Sequence, residues 1–185
     1  MEDKLENWSM TNNTNDDNYI DYEIYNNNKI YNNEEIIKRA RKSGICNMCS
    51  EKIGSTENIF IINKCLLFIH EVERCMNEIF NELGGGFRES VYQTALGNDL
   101  RKLGYNVKKE VNINVFYKEE EVGTVRLDML VENMFIIEFK AIEKITKKEK
   151  NQLMRYMNVM NKEKIKLGIL INVSIDKYEI CKCSI

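Results

Sequence analysis

Three residues carry the sharpest chemical signal in this chain: Asp128, Glu138 and Lys140. They lie in the stretch VRLDMLVENMFIIEFKA, Val125 to Ala141, whose other residues are mostly apolar. A charge in a buried strand is costly unless it is paired or binds a metal. Glu138 and Lys140 are two apart, so on a strand both point to one face. Asp128 precedes Glu138 by nine intervening residues, with a turn signal at Glu132-Asn133 between them. Carboxylate oxygens suit a hard cation such as Mg²⁺, and a lysine beside such a site can orient water and offset negative charge. The spacing makes a demand on the turn. A two-residue loop would pair Asp128 with Ile137 and send the two acids to opposite faces. A shared face predicts a three-residue loop, Glu132 to Met134, or a bulge.

Outside that stretch, Glu89 lies at the start of a predicted helix, Arg88 to Leu103, with Val91, Tyr92, Ala95, Leu96, Leu100 and Leu103 on its apolar side. A first-turn glutamate alone reads as a dipole or capping residue. An earlier helix, Leu66 to Leu83, shows apolar residues at three-to-four spacing and stops at Gly84-Gly85-Gly86. No Lys-Ser/Thr follows these glycines, which excludes a P-loop. Val107 to Phe116, Glu121 to Val131 and Met134 to Ile142 read as strands of an antiparallel meander. Thr146 caps a helix to about Asn161, with Glu149 as its capping-box partner and Gln152 and Tyr156 on one face. Ile165 to Val173 is apolar enough for a central strand, reached by a parallel crossover, and Tyr178 to Ile185 adds an edge. The fold class is α/β, a mixed central sheet flanked by helices, in the order α-α-β-β-β-α-β.

The chain has 185 residues and a net charge of −2. Residues 1–40 hold four basic and nine acidic residues, so the remainder is slightly basic, at +3. That balance permits a nucleic-acid partner. No apolar run is long enough to span a membrane, and the polar, acidic start lacks the apolar core of a secretory signal. The setting expected is intracellular, cytoplasmic or nuclear, with reduced cysteines. Residues 1–33 form an Asn-rich acidic tail with ten asparagines, expected to be disordered or to dock on a protein partner. Residues 34–64 form a variable segment containing a CxxC, Cys46 and Cys49. With Cys65 and His70 they hold the ingredients of a small structural Zn²⁺ site. The bland reading is ordinary reduced cysteines. Residues 65–185 form the main domain.

Asp128 followed by Glu138-Phe139-Lys140 resembles the D…ExK core of the PD-(D/E)XK nuclease superfamily. Gly86 to Tyr92, GFRESVY, resembles the GxxExxY motif of one branch. Asn151 to Tyr156 resembles that branch's Q-x-x-x-Y helix, and Leu167 to Asn172 continues the similarity over about residues 66–175. The resemblance implies a restriction-endonuclease-like core in which Glu89, Asp128 and Glu138 surround Mg²⁺ (or Mn²⁺). It also implies that Lys140 handles the attacking water and that Gln152 touches substrate or orients a carboxylate. The function implied is metal-dependent hydrolysis of nucleic-acid phosphodiester bonds, with DNA ahead of RNA. Two alternatives stand beside it: a catalytically weak or inactive nucleic-acid-binding module, and an interaction protein anchored through residues 1–64. The lysines Lys144, Lys147, Lys148 and Lys150 suit phosphate contacts or a solvated helix face.

Overall fold

The computed structural model describes residues 56–160 and 164–183. The Asn-rich tail and Cys46 and Cys49 lie outside the described residues. Within them the order is α1 (Thr56–Leu83), α2 (Glu89–Lys102), β1 (Val107–Tyr117), β2 (Glu120–Val131), β3 (Phe135–Lys140), α3 (Lys147–Val159), β4 (Leu167–Val173) and β5 (Tyr178–Cys183). This is the α/β order expected, with the fifth strand at the edge.

The five strands form one sheet in the order β1-β2-β3-β4-β5. β1, β2 and β3 are a meander, β3 and β4 are parallel across α3, and β5 returns antiparallel to β4. Helices α1 and α2 cover one face, burying Phe68, Val72, Met76, Tyr92 and Leu96 against Val131, Phe135, Ile137 and Phe139. Helix α3 covers the other, packing Leu153 and Met157 on Leu130, Ile136 and Leu170. A side chain on Gly168 of β4 would collide with Met157 and Leu153, so α3 lies directly on the strand there. Thr146 and Glu149 complete the expected capping box: Glu149 Oε2 accepts from Thr146 N at 2.9 Å and from Thr146 Oγ1 at 2.6 Å.

Helix α1 starts ten residues before Leu66, the start that apolar spacing suggests, and runs through the 64/65 composition boundary. Ile62 and Cys65 are buried and extend the stripe backwards, so packing overrides the weak helix propensity of a β-branched, Asn-containing segment. Val91 and Leu103, expected on the apolar side of α2, are exposed instead; Gln93 and Gly97 take buried places.

Two local features position the site. β2 and β3 pair Val131 with Phe135, leaving Glu132, Asn133 and Met134 as the loop. The expected three-residue connection is present, and Glu132 and Asn133 both take positive φ, at 55° and 53°. The register from Met129 opposite Ile137 carries on to put Asp128 across from Glu138. The second feature is a change of face. Met129 packs towards α1 and α2, whereas Leu127 packs on the α3 side, although both are odd-numbered. The register to β1 is unbroken, with Lys109 opposite Met129 and Val111 opposite Leu127. The strand pair therefore rotates at Asp128, across from Glu110, whose φ is +54°. Beyond that point β1 and β2 leave the sheet as a two-stranded ribbon.

Candidate active site

β2 and β3 part where Asp128 faces Glu138. Pairing ends at Met129–Ile137, and the next N–H on β3 beyond Glu138, that of Phe139, donates to Asp128 Oδ2 at 2.8 Å. An aspartate side chain thus takes a bond that the strand backbone has given up. Glu138 has the same parity as Ile136 and is reached from α3. Its Oε1 accepts from Lys140 Nζ at 2.7 Å and from Gln152 Nε2 at 2.9 Å. Gln152 Nε2 also donates to Tyr156 Oη at 2.7 Å, so the Gln152 and Tyr156 pair holds Glu138 from one turn to the next of α3. Glu138 Oε2 is buried and has no hydrogen-bond partner among the described residues.

The electrostatics follow from this placement. Glu138 is 2% exposed. Burial, and then the charge of Asp128, push its pKa up to about 7, against the opposing pull of Lys140. Asp128 is also raised by burial, although the Phe139 N–H and the charge of Lys140 hold it back. For Lys140, burial alone would lower the pKa, but the hydrogen bond and charge of Glu138, with Glu89 and Asp128 beyond, carry it above the usual lysine value.

Glu89 is the first residue of α2, and its Oε1 accepts from Ala141 N at 3.1 Å. It docks the helix onto the chain just past Lys140. Arg88, Glu89, Ser90 and Gln93 form one wall of an open cleft of about 450 Å³, while Glu110, Arg126 and Asp128 form the ribbon side. Phe139 and Lys140 thus lie between a carboxylate from the ribbon and one from the helix.

The residues fit a hard divalent ion. A buried carboxylate oxygen without a partner, next to a second acid, is the donor chemistry Mg²⁺ takes, and Mg²⁺ commonly uses one or two carboxylates. The expected cage of three is not gathered: among the described residues no three His, Cys, Asp or Glu side chains come close enough to hold an ion. Glu89 is turned to the Ala141 N–H. Its charge still acts on Glu138 and Lys140.

The zinc grouping is not assembled by the described residues either. Cys65 is fully buried among the core residues of α1, whereas His70, five residues on in the same helix, is exposed. At about 100° per residue they fall on different sides of the helix. Tyr92 is a packing residue with a polar task. Its hydroxyl donates to Gly84 O at 2.9 Å and accepts from Phe87 N at 3.2 Å, fastening the glycine turn.

Two site residues carry little signal in the sequence. Gln93 is buried on α2 and lines the cleft with Asp128; its only mark is its place four residues after Glu89 on an apolar helix face. Asn172 is buried in β4 and clamps Ile142 twice, accepting from its N–H at 3.0 Å and donating to its carbonyl at 2.9 Å. That clamp fixes the chain as it leaves Lys140.

A family model described as the PD-(D/E)XK nuclease superfamily matches residues 67–182. The chain belongs to the PD-(D/E)XK nuclease superfamily. The mixed sheet with helices on both faces is consistent with that nuclease-like fold, and members are usually nucleases, hydrolases acting on nucleic acid. Comparisons with curated protein sequences and with solved structures give no match. Among the described residues no helix is long and apolar enough to cross a membrane.

Proposed function

We propose that this chain is a metal-dependent nuclease of the GxxExxY branch, hydrolysing phosphodiester bonds of nucleic acid, DNA ahead of RNA. The observation that carries the reading is Glu138: a buried carboxylate with one oxygen held by Lys140 and Gln152 and the other without a partner. Such an arrangement is costly as structure, since buried ion pairs seldom add net stability. It is useful if the orphaned oxygen takes an ion.

In this reading Asp128 and Glu138 hold Mg²⁺ or Mn²⁺, and Glu89 adds negative charge from α2. When bound, the ion supplies positive charge to the phosphoryl oxygens and favours ionised water. Lys140 steadies Glu138 and presents a charged ammonium to the attacking water and the scissile phosphate. Gln152 keeps Glu138 in its rotamer, and Tyr156 keeps Gln152. The Phe139 N–H does the same for Asp128.

The test is cleavage of plasmid, single-stranded DNA and RNA with Mg²⁺, with Mn²⁺ and with EDTA, beside Asp128→Ala and Lys140→Ala. Metal-dependent cleavage lost in both variants supports the nuclease. Salt-sensitive binding without cleavage would replace it with a binding module.

A further inference from the structure

The turn between α1 and α2 builds an exposed aromatic next in the chain to the cleft-lining Arg88. Gly84 and Gly86 take positive φ, at 70° and 90°, and Phe87 follows directly. The turn is pinned on both sides. The Phe87 N–H donates to Tyr92 Oη, which in turn donates to Gly84 O. A side chain on Gly85 would overlap the carbonyls of Ser174 and Ile175, so the turn is seated on the β4–β5 connection. The Phe87 ring meets Tyr92 edge-on, with centroids 6.4 Å apart. Its remaining surface faces solvent: Phe87 is 48% exposed, with Ile175 at 76% and Leu83 at 40% on the elements flanking the same turn. A phenylalanine fixed at its backbone and one edge, and open elsewhere, is a platform.

Its neighbour along the chain is Arg88, which caps α2 without a side-chain bond and lines the cleft beside Glu89. Arg126, across the cleft, is engaged by Glu110 at 2.9 Å. Arg88 has no ion pair among the described residues and stands at the positive end of α2. A cation able to take a phosphate is therefore one residue from an exposed aromatic and one residue from a site acid.

We propose that Phe87 is a stacking platform for an unpaired base, with Arg88 on the adjoining phosphate, so that the substrate is a single strand. The inference rests on the nuclease reading and narrows its substrate. Inside an intact duplex base faces are covered by their neighbours and only edges reach the grooves. An aromatic ring can stack only on a base out of the helix. Phe87 is a positioning residue, since it touches the base and not the reacting phosphate.

The experiment uses the full chain in EDTA, with a short oligonucleotide carrying 2-aminopurine, single-stranded or annealed to its complement. The expected result is quenching of the single strand on binding. Phe87→Ala should remove the quenching and weaken single-strand binding by roughly five- to a hundredfold, and leave duplex binding unchanged. Phe87→Trp should keep both. Arg88→Ala should weaken both substrates and lower the salt slope by about one. Phe87→Ala binding the single strand as wild type does, or losing both substrates equally, would overturn the platform. If the wild type cuts with metal but Phe87→Ala is indifferent, the platform fails and the nuclease stands. If Phe87-dependent stacking is seen without any metal-dependent cutting, the nuclease fails and the platform stands. If the wild type binds neither substrate, the platform falls, and cleavage with metal decides the nuclease.

Discussion

Lys140 Nζ lies 2.7 Å from Glu138 Oε1, while the other oxygen of the same carboxylate is buried without a partner among the described residues. The lysine therefore satisfies one oxygen of a buried acid and leaves the other unsatisfied. Burial and Asp128 raise the pKa of Glu138 in the folded chain to about 7, above its ordinary value of 4.5. Between those values the folded chain holds a proton that the unfolded chain has released. The contribution of Glu138 is thus fully present below pH 4.5 and is lost as pH rises to 7. The stability of Glu138→Gln relative to the wild type should rise by about 1–3 kcal/mol between pH 4.5 and 7. Denaturant unfolding in EDTA at a series of pH values checks it: the gap should grow through that window and then level off.

Asp128 and Glu138 act on each other as like charges. Asp128→Asn should bring the Glu138 pKa down towards the ordinary carboxylate range. Carbon-detected NMR titration of the glutamate carboxyls reads the shift directly. A Glu138 pKa that stays put would mean that burial alone sets it.

Gln152 bridges Glu138 and Tyr156, so its loss should free the carboxylate rather than unfold the domain. Gln152→Ala should lower cleavage by about 10–100-fold, as removal of residues that orient metal ligands commonly does. Tyr156→Phe removes one hydrogen bond and keeps the ring, so its effect should be smaller. Single-turnover rates, with melting temperature as a control, separate loss of positioning from loss of fold.

Gly85 packs where any side chain would meet the carbonyls of Ser174 and Ile175. Gly85→Ala should destabilise by about 1–3 kcal/mol through overpacking, and lower the melting temperature by about 2–4 °C per kcal/mol. It should also shift Phe87 and Glu89, which leave the same turn. Calorimetry measures the first effect and the cleavage rate the second.

Much of this fold was readable because local signals agreed with tertiary ones. Thr146 and Glu149 announce their helix by capping chemistry. The need to bring Asp128 across from Glu138 predicts a three-residue loop, and Val131 does pair with Phe135. The early start of α1 was hidden because its first residues are poor helix formers, and only the burial of Ile62 and Cys65 explains them. The rotation at Asp128 had no signal at all: Glu110 takes a left-handed conformation without being glycine. Gln93 and Asn172 were obscured by the apolar runs around them, where a single polar residue reads as noise until its partner is seen. The grouping of Cys65 with His70 rested on spacing along the chain, and the helix places one in the core and the other in solvent.

The central claim is that Glu138, Asp128 and Lys140 form a site that cuts nucleic acid with the help of a divalent ion. The most direct measurement is plasmid cleavage by the wild type and by Lys140→Ala in Mg²⁺ or Mn²⁺, each repeated in EDTA. Cleavage should require the metal, and Lys140→Ala should lower it by roughly 100-fold or more at a temperature where its melting curve shows the variant folded. Cleavage that persists in EDTA, or that is unchanged in Lys140→Ala, would contradict the claim.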